Sequence, residues 1–331
     1  MYTRYGRLRS SRDRRGPPSR SHRPGTVDGV TTLRIATYNL LHGQPLAPDG
    51  SPAPYPADPG GPLADAVASL DADVLALQEV DRHQERSGRT DQTAVAAKAA
   101  GAADWRFAAA VHGVPAPGAG WIADPDRPGL AVYGPGDLDD DSRPAYGTAL
   151  LTRLPVLHWR ARRFAPAPFG LPLRVAGRRG LTPVPDEPRA ALAAVLAGPG
   201  GEFTVVAAHL SFVPGWNVGQ LAAIRRWIAD LPQPYLVLGD FNLIGAVPRT
   251  VLGSAHAIQR TARRERVRTA RRTRLQGWYD LARTPTYPSH RPTVQFDHIL
   301  GIGVPRNTVG SVSAPRTGVS DHRPLVVDIE V

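Results

Sequence analysis

Short apolar runs, separated by polar loops, recur along the whole chain. Runs of this kind that are bounded by turn-forming residues are typical of buried β-strands. Eight of them stand out in the sequence. The predicted strands are Leu33–Tyr38, Val74–Leu77, Ala149–Leu151, Ala190–Leu196, Phe203–Ala208, Tyr235–Leu238, His298–Ile302 and Leu325–Ile329.

Helical periodicity appears between some of these runs. It is clearest over Asn217–Leu231, where the apolar positions form one stripe: Leu221, Ile224, Trp227, Ile228 and Leu231. Asn217 together with Gln220 predicts a capping box at the start of this helix. Shorter helices are predicted over Pro62–Leu70 and Asp91–Ala100. Many strands with a few interspersed helices favour an α/β sandwich.

The polar and Pro/Gly-rich segments predict the organisation of the chain. Residues 1–30 combine many charges with Pro, Gly and Ser, so we predict a disordered Arg-rich tail there. Residues 31–331 are predicted to form a single domain. Within it, Gln44–Pro62, Val114–Tyr146 and Phe164–Pro188 are predicted to be long loops, the second with short strands in it.

Composition excludes several classes of protein. The chain has 331 residues and no cysteine, which rules out disulfides, zinc–thiolate sites and a cysteine nucleophile. It contains neither an apolar stretch long enough to span a membrane nor the G-x-x-x-x-G-K-[ST] loop of P-loop nucleotidases. The N-terminus lacks the apolar run of a secretory signal. We therefore expect a cytoplasmic protein, and we expect it to be a monomer.

The formal net charge of +11 comes almost entirely from arginine, since Lys98 is the only lysine. Much of this charge lies in two places, Arg4–Arg23 and Arg260–Arg274. Two interpretations stay open for each: a solvated tail or helix face, or contact with a phosphate-rich partner, because guanidinium groups match phosphate oxygens. The arginine-rich, lysine-poor composition is also typical of a GC-rich genome, which weakens the second interpretation.

Polar side chains follow the apolar strands in a repeated pattern. They are Asn39, Glu79, His209, Asp240, Asn242, the pair Asp297–His298 and the pair Asp321–His322. Ligand sites in α/β folds often lie beyond the carboxyl ends of strands. We therefore expect these side chains to border one cavity.

The chemical types of these residues agree with one another. Asn, Asp and Glu offer the hard oxygen ligands that suit Mg²⁺ or Mn²⁺, and histidine can donate to phosphate or move a proton near neutral pH. Taken singly, each has an ordinary structural explanation: a helix cap, a half-buried histidine, or an Asx turn at Asp240 and Asn242. Their joint occurrence favours a catalytic site.

Eight segments in a fixed order resemble the endonuclease/exonuclease/phosphatase superfamily of deoxyribonuclease I-like metal-dependent phosphoesterases. They are ATYNLLHG, DVLALQEVD, YGTALLTRLPV, EPRAAL, AAHLS, LVLGDFN, TYPSHRPTVQFDHIL and SDHRPLVVDIEV. They extend from Leu33 to the end of the chain, and GDFN followed by FDHIL and SDHRPL is the most specific part. The Arg-rich tail and Arg260–Arg274 lie outside the resemblance.

The resemblance implies a four-layer α/β sandwich in which two mixed sheets are flanked by helices. It also implies a Mg²⁺ or Mn²⁺ cofactor. Carried over to this sequence, Glu79 is the principal metal ligand, Asn39 assists it, and Asp321 lies close to the metal. The roles of His42 and Arg189 stay open.

The resemblance assigns the catalytic work to five further residues. His209 contacts the scissile phosphate, and Asn242 holds a phosphate oxygen. Asp240 orients or deprotonates the attacking water. Asp297 pairs with His322, and His322 binds the phosphate or protonates it. Whether the base is Asp240 or the His322–Asp297 pair is left open.

The function implied is hydrolysis of a phosphodiester, or a phosphomonoester, by in-line attack of water. The basic segments favour nucleic acid as the substrate. A sphingomyelinase-like or inositol-phosphatase-like enzyme that acts on a lipid or a small molecule is the alternative. The non-enzymatic hypothesis is a catalytically inactive binding scaffold. It is disfavoured because every motif residue of the superfamily is present.

Replacing several arginines of Arg260–Arg274 with glutamine tests the nucleic-acid interpretation. If the segment follows a nucleic-acid backbone, binding should weaken uniformly across sequences. The log–log salt dependence should become shallower by about one unit per lost phosphate contact. Hydrolysis of a small phosphodiester should stay unchanged. A salt dependence equal to that of the wild-type protein would show that these arginines only solvate the surface.

Overall fold

Two β-sheets packed face to face form the centre of the protein. The structure, a computed structural model, describes residues 26–27, 30–116, 120–137, 142–173, 180–253 and 277–331. The first sheet has nine strands: β1 (Thr26–Val27), β2 (Val30–Asn39), β3 (Val74–Arg82), β4 (Asp104–Ala116), β5 (Gly120–Ala123), β6 (Ala131–Tyr133), β7 (Ala145–Thr152), β16 (Val309–Ser313) and β17 (Leu325–Glu330).

The second sheet has six strands: β8 (Val156–Phe164), β11 (Arg189–Gly198), β12 (Gly201–His209), β13 (Tyr235–Asp240), β14 (Tyr279–Asp280) and β15 (Asp297–Ile302). A separate two-stranded ribbon joins β9 (Leu171–Leu173) to β10 (Thr182–Val184). The helices that lie wholly within the described residues are α1 (Gly60–Ala68), α2 (Gln92–Ala100) and α3 (Trp216–Trp227), and residues 247–253 are also helical.

Both sheets are mixed, and each contains one parallel pair close to its middle. The order in the first sheet is β16-β17-β2-β3-β7-β4-β5, with β1 on β2 and β6 on β4; β2 and β3 are parallel. The order in the second sheet is β14-β15-β13-β12-β11-β8, with β12 and β13 parallel. The carboxyl ends of strands in a parallel pair lie at the same edge of a sheet, so polar side chains there can converge.

Successive side chains of a strand point to opposite faces of its sheet, and in this protein both faces are buried. Leu33 and Ile35 of β2 face the second sheet, whereas Ala36 and Tyr38 face the helices. The same alternation holds in β12, where Val205 faces inward. Strands buried on both faces read as continuous apolar runs, which is the pattern seen in the sequence.

The outer faces are covered by helices, and this gives four layers. Leu63 and Val67 of α1, with Ala96 of α2, pack on the outer face of the first sheet. Leu221 and Ile224 of α3 pack on the outer face of the second. The four-layer α/β sandwich with two mixed sheets is therefore confirmed.

All eight predicted strands are confirmed, each inside a longer strand of the structure. The three predicted helices are also present, with Asp91 as the side-chain cap of α2. Strands β1, β4, β8, β14 and β16 were missed. Strands β1 and β14 have two residues each, β8 and β16 are rich in polar or exposed residues, and β4 reads partly as a loop. The predicted loops Val114–Tyr146 and Phe164–Pro188 contain the short strands β5 and β6 and the β9–β10 ribbon, respectively.

The predicted capping box at Asn217 and Gln220 is wrong. Gly215 precedes the helix and makes no side-chain cap bond. Nδ2 of Asn217 donates to the Asn242 carbonyl (3.0 Å), and Oε1 of Gln220 accepts from the Ser211 amide (2.8 Å). These side chains therefore brace the loops that follow β12 and β13. Helix α3 also ends at Trp227, earlier than predicted.

The chain ahead of Leu33 already belongs to the first sheet in part. Thr26–Val27 forms β1 and pairs with Val30 and Thr31 at the start of β2, although the tail was predicted to extend to residue 30. The rest of that tail and the segment Arg260–Arg274 lie outside the described residues. Within the part of the chain that the structure describes, no helix is both long and apolar enough to cross a membrane.

Gly239 is required by the close approach of β12 to β13. Its φ is +146°, and a Cβ atom there would lie 1.7 Å from the Ala208 carbonyl oxygen. We expect Gly239→Ala to lower the free energy of unfolding by at least about 1–3 kcal/mol, measured by urea denaturation. Gly219→Ala is the matched control, because Gly219 lies in α3 with open space around it. Alanine there should stabilise the protein by up to about 1 kcal/mol. Equal effects of the two substitutions would contradict this account.

Candidate active site

Three site residues form one row across neighbouring strands of the second sheet. His209 at the end of β12 is in register with Asp240 at the end of β13, and Asp240 is in register with Asp297 at the start of β15. They have the same parity as the inward-facing apolar residues of their strands, so their side chains point into the space between the sheets. All three are buried.

Asn39 and Glu79 contribute the first sheet's part of the site. Asn39 ends β2, and its side chain lies on the same face of the strand as Ile35, which points between the sheets. Glu79 has the opposite parity, but a β-bulge between Leu77 and Val80 and a φ of +53° at Glu79 turn its side chain towards Asn39. Positive φ at a non-glycine residue costs roughly 1–3 kcal/mol, and such strain clusters at functional sites.

The segment before β17 brings in Asp321 and His322. Ser320 has a φ of +69°, and its Oγ donates to the Asn39 carbonyl (2.6 Å) while accepting from the His322 amide (3.1 Å). The Ser289 amide donates to the Asp321 carbonyl (2.6 Å). The Asp321–His322 pair is thereby placed against the end of β2.

A chain of polar contacts connects the two sheets. Nδ2 of Asn39 donates to Oε1 of Glu79 and to Oδ2 of Asp240, both at 3.0 Å. Oδ2 of Asp240 lies 3.8 Å from Nε2 of His322 and, separately, 3.8 Å from Nε2 of His209. Nδ1 of His322 donates to Oδ2 of Asp297 (2.8 Å). The predicted pairing of Asp297 with His322 is therefore present in the structure.

His322 carries a positive charge at neutral pH. Burial opposes that charge, but the charge and hydrogen bond of Asp297, with Asp240 and Asp321 adding to them, outweigh it and raise the pKa of His322 to about 10. Oδ2 of Asp297 also accepts from Oγ1 of Thr286 (2.5 Å), which fixes the carboxylate. Asp240, Asp297 and His322 lie close enough together to suggest a metal centre. We interpret them instead as a protonated His322 held by two carboxylates. A protonated imidazole has no free lone pair with which to bind a cation.

Glu79 and Asp321 suit a divalent cation better. Burial, followed by the nearby charge of Glu187, raises the pKa of Glu79 to about 7, although the bond from Asn39 opposes this. Burial also raises the pKa of Asp321. Two half-buried carboxylates of hard oxygen chemistry, one of them oriented by the amide of Asn39, match the ligands of Mg²⁺ or Mn²⁺. A cation beside them would offset the cost of keeping them ionised.

Arg189 and Glu187 form a second polar group beside His209. Nη1 of Arg189 lies 2.8 Å from Nδ1 of His209 and 2.8 Å from Oε1 of Glu187. Glu187 also accepts from the Tyr146 hydroxyl (3.0 Å) and from Nε1 of Trp121 (2.7 Å). Burial and the positive charge of Arg189 lower the pKa of His209 well below its usual value, so its imidazole is neutral.

Sequence reasoning left the role of Arg189 open and did not single out Glu187, Tyr146 or Trp121. The only signal for Glu187 was its place two residues before Arg189 in DEPRAAL. Tyr146 begins the YGTALLTRLPV motif but received no role, and Trp121 lies inside a segment predicted to be a loop.

Asn242 and the two histidines at positions 42 and 298 have distinct surroundings. Asn242 (φ +50°) caps Asp240 through its amide (2.9 Å), and its Nδ2 donates to the Leu210 carbonyl (3.0 Å). His298 has the outward parity, stacks on Phe241 and bonds the Leu243 carbonyl, so it supports the turn and does not enter the site. His42 bonds the Tyr55 hydroxyl, and burial lowers the pKa of His42 to about 3.

The fold and this cluster together define the class of phosphoester hydrolases with a four-layer α/β sandwich. A family model described as the endonuclease/exonuclease/phosphatase family matches residues 36–322. The chain belongs to that family, whose members are phosphoester hydrolases. The resemblance inferred from the sequence is therefore confirmed. A comparison with curated protein sequences finds no match.

Solved structures share the fold at low sequence identity. An endonuclease/exonuclease/phosphatase from Beutenbergia cavernae is similar with a TM-score of 0.51 and 19% identity, over 91% of this chain and 72% of that one. A family protein from Leptotrichia buccalis gives 0.51 and 13%, over 90% and 100%. One from Bacteroides vulgatus gives 0.50 and 17%, over 91% and 99%. At these identities the similarity supports the fold alone.

The His322–Asp297 pair makes stability depend on pH in a defined direction. The pKa of His322 is raised on folding from 6.5 to about 10, so its contribution is complete below pH 6.5 and is lost as pH rises through about 10. Without added metal, the unfolding free energy of the wild type should therefore fall between these pH values, relative to His322→Gln. The extra slope should reach up to about 1.4 kcal/mol per pH unit.

Urea denaturation at several pH values between 7 and 10, with wild type and variant side by side, measures this slope. His158→Gln is the matched control, because His158 is exposed and lies far from the site along β8. It should keep the slope of the wild type. Parallel curves for the wild type and His322→Gln would refute the assignment of a charged His322.

Proposed function

We propose that the protein is a Mg²⁺- or Mn²⁺-dependent hydrolase that cleaves a phosphodiester by in-line attack of water. Membership of a family of phosphoester hydrolases supports the reaction type. The observation that carries the proposal is the contact chain Glu79–Asn39–Asp240–His322–Asp297, which joins acidic, amide and imidazolium groups across the two sheets.

Three residues hold the cation in this proposal: Glu79 as the principal ligand, with Asn39 and Asp321 beside it. When bound, the metal would neutralise charge on the phosphoryl oxygens and stabilise the leaving oxygen. The hydrogen bond from Nδ2 of Asn39 leaves its Oδ1 directed to the loop after β2, where it accepts from the Leu41 amide (3.0 Å). Asn39 thus fixes the orientation of the Glu79 carboxylate.

Asp240 is the general base in this mechanism. The raised pKa of His322 leaves its imidazole protonated at neutral pH and without a lone pair to accept a proton, which supports Asp240 as the base. Burial raises the pKa of Asp240, with His322 opposing and Asp297 adding to the effect, and a raised pKa makes a carboxylate a better base near neutrality. Its Oδ1 is held by the Asn242 amide, and its Oδ2 would take the proton of the attacking water.

Charge stabilisation comes from the histidines and from Asn242. Protonated His322 would donate from Nε2 to a phosphoryl oxygen and balance the negative charge that develops there. Neutral His209 would contribute one N–H. Asn242 has one amide hydrogen beyond the bond to Leu210 and would use it on another phosphoryl oxygen. Arg189 would hold His209 in place, since its Nη1 lies 2.8 Å from Nδ1 and 3.0 Å from Nε2 of the ring.

Two substrate classes remain in the proposal. The arginines of Arg260–Arg274 support nucleic acid, and this support comes from sequence alone. A lipid or small-molecule phosphodiester is the alternative substrate, as in the resemblance to sphingomyelinases and inositol phosphatases. A catalytically inactive scaffold is disfavoured, because the groups needed for catalysis are not only present in the sequence but in mutual contact.

Activity on bis-p-nitrophenyl phosphate, with and without Mg²⁺ or Mn²⁺, tests the proposal, followed by a screen of DNA, RNA, sphingomyelin and inositol phosphates. Glu79→Gln keeps the shape of the side chain and removes its charge. We expect turnover of the diester to fall by a factor of roughly 100 or more, with unchanged circular dichroism and melting temperature.

Glu85→Gln is the matched control, because Glu85 is exposed and pairs with Arg89 on the surface. It should keep full activity. Turnover of Glu79→Gln close to that of the wild type at low Mg²⁺ would exclude Glu79 as the principal ligand. Metal-independent turnover by the wild type would exclude the proposed cofactor.

A further inference from the structure

Glu187 lies between Arg189 of the second sheet and two aromatic side chains of the first. Its Oε1 lies 2.8 Å from Nη1 of Arg189 and accepts from the Tyr146 hydroxyl (3.0 Å), while its Oε2 accepts from Nε1 of Trp121 (2.7 Å). The rings of Trp121 and Tyr146 pack on each other, with their centroids 4.8 Å apart. Three groups thus hold one carboxylate and fix its orientation.

Arg189 connects this carboxylate to His209. The side chain of Arg189 is buried, and its Nη1 lies 2.8 Å from Nδ1 and 3.0 Å from Nε2 of the His209 ring. Burial opposes the positive charge of Arg189, but the charge of Glu187 outweighs it and raises the pKa of the guanidinium. A charged arginine can only donate, so it must meet a ring nitrogen that carries no hydrogen.

These contacts favour one tautomer of His209. Its imidazole is neutral, because burial and the charge of Arg189 lower its pKa, so one ring nitrogen carries a hydrogen and the other does not. Nδ1 is the nitrogen nearer to Arg189, whereas Nε2 lies 3.8 Å from the acceptor Oδ2 of Asp240. A bare Nδ1 and a protonated Nε2 satisfy both neighbours. The opposite tautomer would direct its hydrogen against the guanidinium.

A purely structural role for Glu187 would end at Arg189, as the counter-charge of a buried cation. Two observations favour an influence that reaches His209. One atom, Nη1 of Arg189, makes the contacts with both Glu187 and His209, so a displacement at one contact changes the other. The carboxylate is itself anchored by Tyr146, which stays a donor because burial and then the charge of Glu187 raise the pKa of the phenol well above its usual value.

We propose that Glu187 is a positioning residue that acts through Arg189 to keep His209 in the tautomer protonated at Nε2, with that hydrogen on the side of Asp240. The catalytic consequence rests on the proposed hydrolase function, in which the Nε2 hydrogen of His209 bonds to a phosphoryl oxygen. The tautomer itself is a property of the folded protein and does not depend on turnover.

Nitrogen-15 NMR of the full chain, labelled at histidine, reads the tautomer directly, because protonated and bare ring nitrogens give well-separated signals. His209→Asn identifies the signals of this residue. In the wild type at neutral pH without added metal, Nε2 should carry the hydrogen. Glu187→Gln keeps the shape of the side chain but replaces one oxygen with a donor, which must face either Arg189 or the Trp121 indole. We expect a mixture of tautomers in this variant.

A second substitution can restore the tautomer. In Glu187→Gln/Trp121→Phe the indole N–H is absent, so the glutamine amide can face the phenyl ring and its oxygen can return to Arg189. The signals of His209 should then resemble those of the wild type. Glu202→Gln is the control, because Glu202 is exposed at the other end of β12, and it should keep the wild-type signals. A wild type protonated at Nδ1, or a Glu187→Gln variant with unchanged signals, would overturn the proposal.

Kinetics with bis-p-nitrophenyl phosphate and Mg²⁺ separate this inference from the proposed function. Glu187→Gln should lower kcat by about tenfold or more and leave KM nearly unchanged, because the Nε2 hydrogen acts in the transition state. In the His209→Asn background the same substitution should have no further effect. Additive losses would show that Glu187 does not act through His209 and would refute the inference. Absence of turnover in the wild type would defeat the hydrolase proposal and leave the tautomer result standing.

Discussion

The two hydrogen bonds donated by the Asn39 amide hold the site together across the sheets. One ends on Glu79 in the first sheet, and the other ends on Asp240 in the second. Asn39 is buried, so an unmade bond there would leave a polar group without water and cost about 1–3 kcal/mol. The relative position of the sheets, set by their apolar faces, thus decides whether the carboxylates of the site can be aligned at all.

Within the small volume of the site, different electrostatic surroundings then give chemically similar side chains different protonation states. Burial favours the neutral form of every group, but Asp297 outweighs it and raises the pKa of His322, whereas burial and then the charge of Arg189 both lower the pKa of His209. Two histidines at nearly equal distance from Asp240 therefore differ in charge. Acid and base functions can be separated in this way without a change of residue type.

Much of the fold and of the site could be predicted from the sequence, for one physical reason. Strands buried on both faces are apolar without interruption, so a polar residue at the end of one, such as Asp240, is conspicuous. The reasoning failed where that contrast is absent. Edge strand β8 carries arginines on an exposed face, and Glu187 follows a ribbon rather than a core strand. The capping box failed because Asn217 and Gln220 bond to loops that are distant in sequence, which no local pattern contains.

The order of strands also governs when the site can exist during synthesis of the chain. All six strands of the second sheet lie between β7 and β16, while β17 returns to pair with β2 in the first sheet. Asp321 and His322 arrive with that returning segment. A nascent chain that ends after β15 contains the whole second sheet. It still lacks His322, and β2 does not yet have β17 as its partner. The charged cluster can therefore be complete only after residues 321 and 322 have left the ribosome, so a shorter nascent chain lacks the imidazole that pairs with Asp297.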